Sequence, residues 1–107
     1  MNDNKEILSA LMQTLNDRKK SDPESSYVAS LYAKGVDAIL KKIGEESAET
    51  IMAAKSGARE EIIHETADLW FHCMVMLANN DIDVEDVLEE LERRFGVSGL
   101  DEKASRK

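Results

Sequence analysis

The sequence is poor in the residues that make turns and covalent cross-links. Its 107 residues include one proline, five glycines and one cysteine. An all-β protein of this length needs frequent turns, so the scarcity of glycine and proline favours helices. The single cysteine, Cys73, cannot form an internal disulfide, which is typical of proteins in a reducing compartment. We therefore expect a helical protein in the cytoplasm.

Long apolar runs and an excess of positive charge are also missing. No apolar stretch approaches the roughly 18 residues of a transmembrane helix, and the one near residue 1 is too short for a signal peptide. Lysine and arginine number 14 against 22 aspartates and glutamates, which gives a net charge of −8. Such a chain is poorly suited to neutralising nucleic-acid phosphates. We expect binding to neither membranes nor nucleic acids, and an anionic substrate would require a divalent metal.

The motifs of several common enzyme classes do not occur. Two histidines and one cysteine are too few for a zinc hydrolase. Glu61 and His64 form one Glu-x-x-His motif, but the second motif that a ferritin-like di-iron bundle needs is missing. Neither a Walker-type phosphate loop nor a Gly-x-Ser-x-Gly nucleophile elbow is present.

Apolar residues, at 42% of the chain, are sufficient for a hydrophobic core and exclude disorder over most of its length. They recur at helical spacing in segments separated by loop residues such as Pro23, Gly35 and Gly57. The pattern predicts an all-α domain over 1–107 with four main helices, one short helix and a polar tail over 97–107. The first helix is expected to be capped by Asn2 or Asp3 and to end before a loop at 18–25, and the others to span about 27–34, 36–55, 58–79 and 84–95.

Acidic residues form two pairs with a spacing of three, Glu46 with Glu49 and Glu65 with Asp68. Residues three apart project from the same face of a helix. Two antiparallel helices joined by a short turn therefore can point four carboxylates at one place.

The simplest interpretation of acidic helices is a face exposed to solvent. Against it, residues 69–78 are apolar except for His72 and cover nearly the whole helix circumference, which predicts burial. Two unit charges about 4 Å apart repel by roughly 4 kcal/mol at an effective dielectric near 20, so clustered carboxylates splay apart, become protonated or bind a hard cation. Mg²⁺ fits, because it takes oxygen ligands and keeps positions for water and phosphate oxygens. The spacing alone leaves both interpretations open.

The acidic motif resembles that of a known superfamily. Glu45-Glu46-x-x-Glu49, followed after fifteen residues by Glu65-x-x-Asp68, is similar to the EExxE…ExxD pattern of the all-α, MazG-like nucleoside triphosphate pyrophosphatases.

The flanking segments narrow the resemblance to the phosphoribosyl-ATP pyrophosphatase family of histidine biosynthesis, and it extends over most of the chain from about Ile7. These segments are SYVASL at 26–31, AKG at 33–35, KIGEE at 42–46, and the tail over 95–106.

The resemblance implies Mg²⁺-dependent hydrolysis of phosphoribosyl-ATP to phosphoribosyl-AMP and pyrophosphate. This chemistry requires charge neutralisation and positioning more than covalent catalysis. It implies that Glu45 lies behind the metal ligands or acts as base for the attacking water. The metal ligands that it implies are Glu46, Glu49, Glu65 and Asp68.

Basic residues near the motif are candidates for phosphate contacts. Lys34 and Lys42 belong to the matched segments, and Arg59 begins the second acidic helix, where backbone N–H groups also favour anions. The tail lysines and arginine at 103, 106 and 107 either close over the substrate or are free in solvent. His72, one turn after Asp68, either orients that carboxylate or is a core histidine hydrogen-bonded to a neighbour.

Two other functions remain open: a house-cleaning pyrophosphohydrolase of non-standard or deoxy nucleoside triphosphates, and a helical interaction module that binds a basic partner without turnover. In any of these cases we expect a homodimer. Four main helices can hardly surround one helix that is apolar on nearly every side, and the family resembled is oligomeric in the same way.

Overall fold

The computed structural model describes residues 4–96, and this part of the chain is helical and contains no strand, as the sequence predicts. A 3₁₀ turn, Arg18–Lys20, follows the first helix, and a π-helical turn, Glu92–Gly96, follows the last. The predicted cap at Asn2 or Asp3 and the tail over 97–107 lie outside the described residues. The five α-helices are α1 (Asn4–Asp17), α2 (Tyr27–Lys34), α3 (Val36–Ser56), α4 (Arg59–Asn79) and α5 (Val84–Leu91).

Local capping signals mark the starts of α2 and α5 and the end of α3. The Ser26 hydroxyl accepts a hydrogen bond from the Ala29 N–H at 3.1 Å, and the Asp83 carboxylate accepts one from the Glu85 N–H at 3.0 Å. Gly57 ends α3 in the left-handed region, with φ of 78°. The predicted end of α3 and the predicted start of α4 are each one residue too early, because the turn between them occupies residues 57 and 58 instead of 56 and 57.

The last predicted helix is α-helical only as far as Leu91. Its continuation to Gly96 has the wider π-helical turn. Glu90 stands just before this change and accepts hydrogen bonds from Arg93 at 2.7 Å and from Arg94 at 2.9 Å. These ion pairs bridge the junction between the two kinds of helix.

The hydrophobic core collects residues from all five helices. A hydrogen bond also links α2 to α1: the Tyr32 hydroxyl donates to the main-chain carbonyl of Leu15 at 2.9 Å. None of the described helices is both long and apolar enough to cross a membrane. The buried cluster comprises Met12, Leu15, Val28, Leu31, Ile39, Met74, Val75, Ala78 and Val84.

The single chain leaves α4 uncovered on one side, as expected from the small number of helices available to surround it. Trp70 is 60% exposed and Ile63 is 48% exposed. They line an open apolar depression with Ile62, Thr66 and Ala67, which we call the α4 face. The described helices are too few to surround α4, so this face stays accessible. The expected apolar stripe of α3 is also only partly buried: Ile39 is enclosed and Ile43 is half-buried, whereas Val36, Leu40 and Ile51 are exposed.

Candidate metal centre

The two acidic helices are held together at the level of their carboxylates. The turn at Gly57 reverses the chain, so that α3 and α4 pack against each other along their length. The Thr50 hydroxyl on α3 lies 2.7 Å from the carbonyl oxygen of Glu46 and 3.2 Å from that of Glu65 on α4. Thr50 on α3 contacts Glu65 on α4, whereas Glu46, earlier in α3, contacts Asp68, later in α4. The two helices therefore run antiparallel.

The four carboxylates of the acidic motif converge around Glu46. Carboxylate oxygens of Glu46, Glu49 and Glu65 lie within 4.8 Å of one another. The same limit holds for a second set, formed by Glu46, Asp68 and His72. The structure therefore brings together all four residues that the resemblance implies as metal ligands, with Glu46 common to both sets.

Two oxygens of this cluster are buried without a hydrogen-bond partner, Oε1 of Glu46 and Oε1 of Glu65. Glu46 is only 4% exposed. Burial, a hydrogen bond with Asp68 and the charges of Asp68 and Glu49 raise the pKa of Glu46 to about 7, against a smaller opposing effect of Lys42. A buried carboxylate without a partner is costly, and a cation bound between these oxygens would offset that cost.

His72 is buried, and both of its ring nitrogens are engaged. Nδ1 lies 2.8 Å from the main-chain carbonyl of Asp68, and Nε2 lies 2.8 Å from the Tyr27 hydroxyl. Since a carbonyl oxygen only accepts, Nδ1 carries the proton and Nε2 accepts from Tyr27. The Asp68 carboxylate is 3.6 Å from Nδ1, beyond hydrogen-bonding distance. Of the two interpretations of His72, the structure supports the satisfied core histidine, which has no nitrogen free for a metal.

Two of the predicted phosphate contacts share one pocket beside the acidic cluster. Lys34, Lys42 and Glu45 line a pocket of about 380 Å³, which we call the lysine pocket. The Lys42 ammonium lies 3.5 Å from Glu45 Oε1 and 3.8 Å from Glu46 Oε2, so it stands at the boundary between the pocket and the carboxylates. Glu45 is exposed, unlike Glu46.

Arg59 is not brought to this pocket. It is the exposed first residue of α4, and six residues separate it from Glu65, or about 9 Å along the helix axis. Sequence reasoning missed two residues that do line the pocket, Tyr27 and Lys41. The sequence contained a signal for both, since Tyr27 lies in the matched SYVASL segment and Lys41 precedes Lys42.

Comparison with known proteins agrees with the geometry. Residues 8–95 match the family model described as phosphoribosyl-ATP pyrophosphohydrolase. Three relatives bear the name phosphoribosyl-ATP pyrophosphatase. That of Methylococcus capsulatus is 59% identical over 95% of this chain and 97% of its own length. That of Azoarcus sp. is 60% identical over 95% of each chain. That of Geobacter sulfurreducens is 58% identical over 99% of this chain and 98% of its own length.

Proposed function

Since the chain belongs to the phosphoribosyl-ATP pyrophosphohydrolase family, we propose that it hydrolyses phosphoribosyl-ATP to phosphoribosyl-AMP and pyrophosphate with Mg²⁺ bound at its acidic cluster. The reaction belongs to histidine biosynthesis. The observation that carries the metal proposal is the pair of buried, unpartnered oxygens on Glu46 and Glu65, inside a set of carboxylates within 4.8 Å of one another.

The chemistry of the cluster fits a hard cation. The ligands proposed are the carboxylates of Glu46, Glu49, Glu65 and Asp68, and oxygen donors are those that Mg²⁺ prefers. A softer metal would use nitrogen or sulfur, but the hydrogen bonds of His72 occupy both of its nitrogens. The exposed His64 would add a single nitrogen, beside Glu65 and Asp68. When bound, Mg²⁺ neutralises phosphate charge and makes the attacking water more acidic.

We assign Glu45 the role of base for the attacking water. Its carboxylate is exposed at the edge of the lysine pocket, one residue from a proposed metal ligand. Water gives its proton to this carboxylate and its oxygen to one phosphorus of the α–β anhydride. The bond between that phosphorus and the bridging oxygen breaks, which yields phosphoribosyl-AMP and pyrophosphate. Proton transfer to a positioned carboxylate is an ordinary form of general base catalysis.

Lys34 and Lys42 are proposed to bind the triphosphate. Both line the pocket next to the cluster. Lys42 is paired with Glu45 at 3.5 Å and with Glu46 at 3.8 Å, which places its charge between the pocket and the carboxylates. In a protein of net charge −8 these cations counter the repulsion that an anionic substrate meets. Arg59, nine residues before Asp68 on α4, does not line this pocket and has no such support.

We further propose that the protein is a homodimer and works in the cytoplasm. The α4 face exposes apolar side chains, Trp70 and Ile63 among them. Contiguous apolar surface of this kind marks an interaction site in soluble proteins. A second copy of the chain would cover it.

The deciding experiment measures pyrophosphate release from phosphoribosyl-ATP and from a panel of standard, non-standard and deoxy nucleoside triphosphates, with Mg²⁺ and with EDTA. We expect Mg²⁺-dependent release with phosphoribosyl-ATP preferred. A preference for the triphosphates would instead indicate a house-cleaning enzyme. No release from any substrate would leave a non-catalytic helical interaction module and contradict the proposal.

A further inference from the structure

Tyr27 lines a second pocket besides the lysine pocket. This one has a volume of about 470 Å³ and lies between the 3₁₀ turn after α1, the start of α2 and Phe71 of α4. Within residues 4–96 no carboxylate lines it, although the protein carries 22 acidic residues. We call it the serine pocket; its other lining residues are Arg18, Ser21, Ser25, Ser26 and Val28.

The serine pocket contains hydrogen-bond donors that no residue of the described part of the chain uses. Arg18 is exposed, and residues 4–96 offer it neither an ion pair nor a hydrogen bond to its side chain. At the start of α2 the Ser26 hydroxyl satisfies the Ala29 N–H. The N–H groups of Tyr27 and Val28 find no acceptor within the same range. A guanidinium and free N–H groups at the positive end of a helix are a favourable arrangement for a phosphate.

Two of the three serine hydroxyl groups add to this arrangement. The Ser25 hydroxyl already donates to the Asp22 carbonyl at 3.2 Å. The Ser26 oxygen accepts from Ala29 and therefore keeps its own proton to donate. The Ser21 hydroxyl has no partner among the described residues. Phosphate oxygens accept several hydrogen bonds at once, so they match a pocket with donors and no acceptor carboxylates.

We propose that the serine pocket binds the phosphate of the phosphoribosyl group and thereby distinguishes phosphoribosyl-ATP from simple nucleoside triphosphates. This inference rests on the proposed function. The substrate carries phosphate at two ends, a triphosphate and the single phosphate of the added ribose. The lysine pocket adjoins the carboxylates and takes the triphosphate, which leaves the serine pocket for the other end.

Tyr27 stands between the two pockets and is fixed in place. Its hydroxyl is hydrogen-bonded to His72, whose ring is held in turn by the Asp68 carbonyl. His72 also packs edge-on against Phe71, with ring centroids 5.2 Å apart, and Phe71 lines the serine pocket. These contacts hold Tyr27 in the wall that the two pockets share.

The test compares Arg18→Ala with Lys20→Ala. Lys20 belongs to the same 3₁₀ turn and carries the same charge, but does not line the serine pocket. Steady-state kinetics with phosphoribosyl-ATP and Mg²⁺ give kcat and KM for each, and ribose 5-phosphate, ribose and inorganic phosphate serve as competing ligands. A conservative variant, Arg18→Lys, keeps the charge and loses the forked geometry.

For Arg18→Ala we expect KM to rise about 10- to 100-fold, the usual effect of losing a hydrogen bond to a charged group, with kcat within about threefold of the original. Ribose 5-phosphate should inhibit the original protein competitively and ribose should not, and Arg18→Ala should lose that inhibition. Arg18→Lys should recover part of both effects, and Lys20→Ala should match the original protein.

Two results would overturn the inference, and they are distinguishable. If the original protein hydrolyses phosphoribosyl-ATP and Arg18→Ala behaves like Lys20→Ala, the serine pocket has no such role and the proposed function stands. If the original protein does not hydrolyse phosphoribosyl-ATP at all, the proposed function and this inference fall together.

Discussion

Glu46 bears most of the electrostatic cost of the acidic cluster. It is buried, its Oε1 has no hydrogen-bond partner, and burial together with Asp68 and Glu49 raises the pKa of its carboxyl group to about 7. The raised pKa means that the folded protein without metal resists a full negative charge at this position. Any change that removes a neighbouring negative charge should therefore stabilise the metal-free fold.

Asp68→Asn tests this directly, since the amide keeps the shape of the side chain and loses its charge. Without metal we expect the variant to be more stable by about 1–3 kcal/mol after solvent relaxation. Activity should fall by several orders of magnitude, because an amide oxygen is a weaker Mg²⁺ ligand. Mg²⁺ should raise the Tm of the original protein much more than that of the variant. Thermal melts in EDTA and in Mg²⁺ measure both effects.

Asp37→Asn is the control for this experiment. Asp37 is exposed in the first turn of α3 and outside the cluster. The same substitution should therefore give no stabilisation, and should lose at most about 0.3–1 kcal/mol of favourable interaction with the helix dipole. If the variants at 37 and 68 respond alike to EDTA and Mg²⁺, the four carboxylates are an ordinary solvated face.

Lys42→Ala separates substrate binding from metal binding. Lys42 lines the lysine pocket and lies 3.8 Å from Glu46 Oε2. We expect weaker substrate binding or slower turnover. Mg²⁺ affinity should be unchanged or slightly raised, because losing a positive charge near the carboxylates cannot increase the repulsion of a metal ion. Kinetics and Mg²⁺ titration of the same sample check the two parts. Lys55→Ala, at the exposed end of the same helix, is the control, and a loss of Mg²⁺ affinity with normal kinetics in Lys42→Ala would contradict the assignment.

At the site, the sequence predicted the convergence of the carboxylates, but it did not rank them. The spacing of three places Glu46 and Glu49 on the same helix face and does not distinguish them, yet Glu49 is exposed and Glu46 is buried. The difference arises from packing against α4, which a pattern along one helix does not contain. The serine pocket was missed for a similar reason, because Arg18 and Phe71 are far apart in sequence and meet only in the fold.

At the scale of the helices, prediction was close wherever a local signal was available. Ser26, Gly57 and Asp83 act as caps in the structure, and each is a residue type that helix caps favour. Burial was less predictable, since Leu40 has the helical spacing of a core residue but is 46% exposed. Spacing shows which side chains share a face of a helix; whether another helix covers that face depends on contacts distant in sequence.

The turn between the two acidic helices depends on the backbone of Gly57. Its φ of 78° is unfavourable for a residue with a Cβ, although no atom lies within 4 Å of where a Cβ would be. Gly57→Ala should therefore destabilise the protein through strain alone, by about 1–2 kcal/mol. Gly44, inside α3, is equally free of close neighbours and has no left-handed backbone, so Gly44→Ala should stabilise by roughly 0.5–1 kcal/mol. Denaturant unfolding measures the change in the free energy of unfolding for each variant, and the two changes should have opposite signs. Changes of the same sign would contradict the role given to Gly57.

At the scale of the whole molecule, the proposed dimer has a built-in reporter. Trp70 is the single tryptophan of the sequence, is 60% exposed in the isolated chain and lies on the α4 face. Covering this face with a second copy would remove the indole from water. Fluorescence from one residue therefore reports assembly without any label.

We predict a homodimer at micromolar concentration, with Trp70 emission shifted to shorter wavelength than that of an exposed indole. On dilution, the emission should move to longer wavelength as light scattering records the fall to monomer mass. Ile63 is two helical turns before Trp70 on the same face, so Ile63→Lys should favour the monomer by placing a charge in an apolar contact. Ile82→Lys changes an apolar residue that is 42% exposed in the turn after α4, away from this face, and should remain dimeric. A folded monomer at micromolar concentration, with emission typical of an exposed indole and insensitive to Ile63→Lys, would show that the α4 face is not covered by a second copy.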